Sequence, residues 1–167
     1  MKQAMRILAA IAQKRWRWVV AIAILALLGL AWSRRFIQDD AFISFRYARN
    51  LVNGDGLTWN AGERVEGYTN FLWVLLMSVP IKLGLDPVTA SYALGMCCYV
   101  VSLLLTYRIG RALGLPAAQA LVAVVLLGLN YSFSAYATGG LETQLQTCAL
   151  LGAALLTPQT MAVITRT

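Results

Sequence analysis

The chain has 167 residues, 59% of them hydrophobic and 13% charged, with a mean hydropathy of +0.66. Ordinary soluble domains are about 45–50% apolar and about 25% charged. Here the excess lies in long runs rather than in 3.6-residue stripes, which makes this an integral membrane protein, and the net charge of +7 reads as loop topology and anionic-lipid contact rather than nucleic-acid binding.

Residues 1–17 carry Lys2, Arg6, Lys14, Arg15 and Arg17 and form a basic N-terminal segment that the positive-inside tendency places in the cytoplasm. Trp18 to Trp32 is continuously apolar and extends to Ile37, so 18–37 is the first transmembrane helix. No small-x-small cleavage site follows it, and more apolar runs do, which argues against a removed signal peptide. Residues 38–86 then form an extracytoplasmic loop. Within it, 41–52 fits an amphipathic helix lying in the membrane interface, with Ala41, Phe45, Ala48, Leu51 and Val52 on one side and Arg46, Arg49 and Asn50 on the other, Phe42 among them. The "NGDG" of residues 53–56 stops it.

The apolar run 71–85 contains Pro80 and Lys82 and is shorter than the roughly 20 residues a spanning helix needs. Two arrangements are open. If 71–85 spans, Arg108 and Arg111 fall outside. If it is a second interfacial helix, both arginines fall inside and "TGGLET" (138–143) shares a side with Asp39 and Asp40. The charge bias favours the second. Three further transmembrane helices are expected in 87–157, with one of them covering about 116–136. Residues 158–167 form a tail at which the chain looks truncated.

The chain has three cysteines and no histidine. Cys97, Cys98 and Cys148 lie inside apolar runs as small buried hydrophobes, with neither zinc-ligand nor disulfide-framework spacing. Without histidine, acid–base chemistry falls to Asp, Glu, Tyr or Lys. Asp39 and Asp40 are adjacent carboxylates at a membrane surface. One aspartate there could cap a helix; two cost mutual repulsion and partial desolvation, which marks them as functional candidates. Arg34 and Arg35 either snorkel to lipid headgroups or contact a phosphate. Arg46 and Arg49 either face solvent and headgroups or recognise a lipid-linked phosphate. Glu142, after two glycines at a helix start, is either a plain N-terminal charge or a second acid of a site. The "NYS" at 130–132 is a chance glycosylation match inside an apolar span.

Together, "DDAFISFRYARNLVNGDGLTWNAGERVEGYTNFLW" and the later "GGLET" resemble the N-terminal part of GT-C glycosyltransferases, nearest to the bacterial arabinofuranosyltransferases. The resemblance covers about residues 34–145. It implies an all-α, polytopic transmembrane helical bundle with interfacial helices in the first external loop, in the bacterial cytoplasmic membrane, multi-pass, with an extracytoplasmic active site. It implies transfer of a sugar, arabinofuranose among the options, from a polyprenyl-phosphate donor to a glycan or protein hydroxyl. Asp40 or Asp39 would be the general base; the spacing of Asp40 to Arg46 matches the superfamily and points to Asp40. Arg46, Arg49, Arg35 and Arg64 become candidates for the donor phosphate, with Glu66, Tyr68 and Glu142 as further substrate-binding candidates. A divalent cation held by Asp39, Asp40 or Glu142 through oxygen ligands is the alternative to arginine. The family runs to several hundred residues, so this chain alone is expected to be inactive. The rival class is a non-enzymatic small membrane protein or transporter fragment.

Overall fold

The structure, a computed structural model, describes residues 2–157 apart from 61, 64 and 66, with only the backbone of residues 2–14. Helix α1 (Lys2–Ser33) has 32 residues. Its apolar part, Arg15–Ser33, is long enough to cross a bilayer, and Trp18, Ile22 and Leu25 point outward at 65% exposure each while Val20, Ile24 and Leu27 are buried. Apolar side chains facing both ways suit lipid rather than water.

The helix stops four residues short of Ile37. Arg34 N and Arg35 N still bond back into the last turn, to Ala31 O (3.1 Å) and Trp32 O (3.2 Å); beyond them Phe36 N donates to Thr138 Oγ1 (3.2 Å) and Gln38 N to Gly139 O (3.1 Å). Gln38 is extended (φ −87, ψ 142), and α2 (Asp39–Asn53) starts directly after it. The expected amphipathic division of α2 is present, with Ala41, Phe45 and Ala48 buried and Phe42, Arg46 and Arg49 exposed. Gly54, at φ +92, ends α2: its N–H bonds back to Leu51 O, and Asp55 N reaches Asn50 O (3.0 Å).

Helix α3 (Phe71–Lys82) has 12 residues, about 18 Å at 1.5 Å per residue. Helix α4 (Pro87–Ala112) has 26, begins with proline behind an Asp86 cap, and is the second helix long and apolar enough to span. The run expected as one helix over 116–136 is broken. Helix α5 (Ala117–Leu129) ends at Asn130, whose Oδ1 accepts Phe133 N (2.9 Å) and so caps the five-residue α6 (Tyr131–Ala135). The asparagine of "NYS" is therefore a helix cap. Helix α7 (Thr143–Leu156) has 14 residues. Of the three helices expected to span in 87–157, α4 has the length to do so unaided; α5 and α7 are shorter.

The packing forms two cores. One joins α1, α4 and α5 through Val20, Ile24, Leu27, Ala31, Tyr99, Leu103 and Val124. The other joins α2 to α3 through Phe45, Tyr47, Ala48, Trp73, Val74 and Met77, and it rests on the start of α7 through Leu141 and Leu145. The second core sits where α1 ends and α7 begins, and the candidate site opens there.

Candidate active site

Successive helical residues point about 100° apart, and this separates the two aspartates. Asp39 shares the exposed outer stripe of α2 with Phe42, Arg46 and Arg49. Asp40 lines a cavity of about 220 Å³ with Ile43, Ser44, Gly67, Tyr68, Thr69, Asn70, Leu141 and Glu142. Neither aspartate is the cap residue. Gln38 occupies that position and its side chain does not cap the helix. Both carboxylates stand in the first turn, where the positive end of the helix favours negative charge.

Glu142 reaches the cavity through the "GGLET" turn. Besides the two bonds from Phe36 and Gln38, Trp73 Nε1 donates to Gly140 O (2.9 Å), fixing the turn to α3 as well. Gly140 has φ +83, and a Cβ there would collide with Ile37 and lie 2.7 Å from Ala41 Cβ. Only glycine permits both that conformation and that approach. The carboxylate of Glu142 then receives Asn70 Nδ2 (2.8 Å), which also lies 2.9 Å from Ser44 Oγ. At Asp40, Gln38 Nε2 donates to the carboxylate Oδ2 (3.2 Å).

The remaining wall is the loop before α3. Tyr47 is fully buried; its hydroxyl donates to Val65 O (2.8 Å) and accepts Gly67 N (3.0 Å). A side chain at Gly67 would strike that hydroxyl, at 2.8 Å. The Tyr68 ring packs on Tyr47 at 4.6 Å between centroids and presents Tyr68 to the cavity. A second, more open cavity of about 510 Å³ adjoins the first, sharing Thr69, Asn70 and Glu142 and continuing along Phe71, Leu72, Trp73, Leu145 and Ala149 between α3 and α7.

The arginines lie elsewhere. Arg46 Nε donates to Trp59 O (2.9 Å), its terminal nitrogen to Asn60 Oδ1 (2.6 Å), and its guanidinium stacks 4.2 Å from the Trp59 ring, so it holds the loop after α2. Arg35 folds back over Trp32. Arg34 donates to Ser134 Oγ (2.6 Å), tying the end of α1 to α6. Arg49 is exposed on the outer face of α2. None of these lines either cavity. Arg64 and Glu66 lie outside the described residues. Among the described residues no three His, Cys, Asp or Glu side chains form a group able to hold a metal ion, so Asp39, Asp40 and Glu142 are not assembled as a three-ligand set; Asp40 and Glu142 share the cavity and Asp39 does not. Sequence reasoning missed Gln38, Ser44 and Asn70. A signal existed for Asn70, an asparagine immediately before an apolar helical run.

No protein-family model matches the chain, and no solved structure matches it. It is similar to the terminal beta-(1→2)-arabinofuranosyltransferase of Mycobacterium tuberculosis, 35% identical over 143 residues that cover 78% of this chain and 22% of that protein. It is also similar to the protein of the same name from Corynebacterium glutamicum, 52% identical over 42 residues covering 25% of this chain and 6% of that protein. The chain thus spans about a fifth of the first relative's length, and its similarity is to arabinofuranosyltransferases, which act as glycosyltransferases.

Proposed function

We propose that this chain forms the part of a membrane glycosyltransferase that activates the acceptor hydroxyl, with Asp40 as general base. The observation that carries the reading is that Asp40 and Glu142, distant in sequence, line one cavity, in a chain similar to arabinofuranosyltransferases. Asp40 takes the proton of a glycan or protein hydroxyl. The freed oxygen attacks the anomeric carbon, and the bond from that carbon to the phosphate oxygen breaks, releasing polyprenyl phosphate. General-base assistance contributes about 10²–10⁴-fold to such a step. The donor is a polyprenyl-phosphate sugar, arabinofuranose by analogy with the relatives. The polar cavity suits the sugar, and the larger cavity, with Phe71, Leu72, Trp73, Leu145 and Ala149 in its lining, suits the start of the lipid chain. The phosphate would sit where the two meet, beside Thr69, Asn70 and Glu142.

Among the described residues no arginine or lysine lines that junction. The candidates for meeting the phosphate charge are then Arg64, outside the described residues, and a divalent cation. Hard cations such as Mg²⁺ commonly use one or two carboxylates and complete their shell with substrate phosphate and water, which Asp40 and Glu142 fit as a pair. Such a cation would supply charge neutralisation at the leaving group; a chelator that leaves transfer intact would assign the role to arginine.

We place the protein as a multi-pass protein of the bacterial cytoplasmic membrane, with its N-terminus inside, α2 and α3 in the interface, and the cavity facing outward. Support comes from the hydrogen bonds joining residues 36–38 and Trp73 to the 138–140 turn. Segments on opposite sides of a bilayer could not make them. The test is transfer from polyprenyl-phosphate arabinofuranose by the whole protein that carries this chain. Asp40→Asn keeps shape and removes the base, so turnover should fall about 100-fold or more. Asp39→Asn, outside the cavity, should lose far less. Wild-type turnover by Asp40→Asn would falsify the proposal.

A further inference from the structure

The two carboxylates of the cavity are each held by the side-chain amide of a helix N-cap residue. Gln38 is the N-cap residue of α2 and Asn70 the N-cap residue of α3. An N-cap side chain normally satisfies one of the helix's free N–H groups. At two other helices that is what happens: Asp86 accepts Thr89 N (2.8 Å) at the start of α4, and Asn130 accepts Phe133 N (2.9 Å) at the start of α6; Pro116 and Glu142, which precede α5 and α7, do not cap. Gln38 and Asn70 do not cap. Each gives its amide N–H₂ to a cavity carboxylate instead of offering its oxygen to a backbone N–H, Gln38 to Asp40 in the first turn of its own helix (3.2 Å) and Asn70 to Glu142 across the fold (2.8 Å).

Two further facts separate this from ordinary surface hydrogen bonding. The carbonyl oxygen of Gln38, Oε1, is buried without a partner. A buried acceptor left unpaired is destabilising, and an apolar side chain of the same size would avoid the cost. The backbone of Gln38 is also pinned, its N–H on Gly139 O and its carbonyl on Ala41 N (3.0 Å). The amide is thus carried on a rigid mount shared by α2 and the turn that presents Glu142. Asn70 is similarly braced by Ser44 Oγ, 3% exposed.

We infer that Gln38 and Asn70 are positioning residues. Each fixes one carboxylate oxygen with a neutral donor, which orients the group without placing a counter-charge beside it, and leaves the other oxygen for the substrate. This deepens the proposed function and rests on it for the consequence to turnover, whereas the pairings themselves are tested without catalysis.

In the whole protein in lipid nanodiscs, with glutamine and asparagine side-chain amides isotopically labelled, the resonances of Gln38 should move in Asp40→Ala, and those of Asn70 in Glu142→Ala, each pair responding to its own partner. In the whole protein, Gln38→Met and Asn70→Ser should lower kcat on the order of ten- to a hundredfold with KM within about twofold, since a misplaced reacting group costs rate rather than binding. The melting temperature should hold, because Met removes the unpaired acceptor and Ser is a good N-cap. Where Gln38→Met does not fold, Gln38→Glu keeps the size and removes the donor. Amide resonances indifferent to their partner carboxylates would overturn the inference. So would unchanged kcat, or a loss of kcat that only follows a fall in melting temperature. Normal transfer by Asp40→Asn removes the proposed function instead, and the resonances then decide the pairings on their own.

Discussion

Two fully buried tyrosines represent the two halves of this molecule. Tyr99 lies in the α1–α4–α5 core and makes one hydrogen bond, to Gly128 O at 3.1 Å, among apolar neighbours. Tyr47 lies in the α2–α3 core and makes two, to Val65 O and from Gly67 N, both in the loop that walls the cavity. The bundle is assembled by apolar contact and close backbone approach; at Gly128, for example, a Cβ would press on Leu27. The cavity half is assembled by polar side chains that reach across the chain: Arg46 to Trp59, Asn50 to Thr58, Asn70 to Glu142, Trp73 to Gly140. Side-chain hydrogen bonds have direction, so they can hold irregular backbone around an open space where packing alone would close it.

The contrast is broken most strongly at Gly140. Gly140→Ala forces a left-handed conformation on a residue with a Cβ and drives that Cβ into Ile37 and Ala41. A destabilisation of about 3 kcal/mol is expected, with loss of Glu142 from the cavity. Chemical denaturation together with hydrogen exchange at residues 138–142 measures both, and exchange confined to that turn would show the bundle standing without it. Next comes Tyr47→Phe, which strands two backbone groups and should cost about 1–2 kcal/mol, reduced by water reaching the exposed loop. Faster amide exchange at Gly67, with α4 amides unchanged, is the expected signature.

Asp86→Ala removes the cap of α4 and should cost about 1 kcal/mol. The Thr89 hydroxyl and then its backbone N–H hold the Asp86 carboxyl below the usual carboxylate range. Its contribution is therefore present above the unfolded value and lost as pH falls through the lowered one, so the wild-type advantage over Asp86→Ala should shrink only in that acidic window. The smallest effect belongs to Tyr99→Phe, a single interhelical hydrogen bond between apolar helices, about 0.6 kcal/mol if, as proposed, they lie in a bilayer. Equal losses for Tyr47→Phe and Tyr99→Phe, measured side by side, would dissolve the distinction between the halves.

The long helices could be read directly. Apolar runs fix α1 and α4, and proline and glycine punctuation fixes their neighbours, because these depend on local composition. The amphipathic division of α2 was equally legible from its 3.6-residue period. The breaks were less so. Asn130 interrupts an apolar run because its side chain serves the α6 backbone, and the chain does not continue α1 to Ile37 because Thr138 and Gly139 take the donors of Phe36 and Gln38. Propensity carries no information about a partner a hundred residues away.

The sequence by itself determined that this chain is helical, with apolar runs long enough to cross a membrane, and that Asp39, Asp40 and Glu142 deserved scrutiny. Only the tertiary structure set the two aspartates apart in space. Both are exposed, but helical rotation puts Asp40 on the lining of the cavity and Asp39 on the outer face, and which face meets the cavity is set by how α2 seats on α3 and on the 138–142 turn. It also withdrew Arg46 from the cavity, since a guanidinium with five donors satisfies whichever acceptors the fold brings near it, here Trp59 and Asn60. A sequence names the groups that can do chemistry. Which of them meet depends on contacts between residues far apart in the chain, and those exist only once the chain has folded.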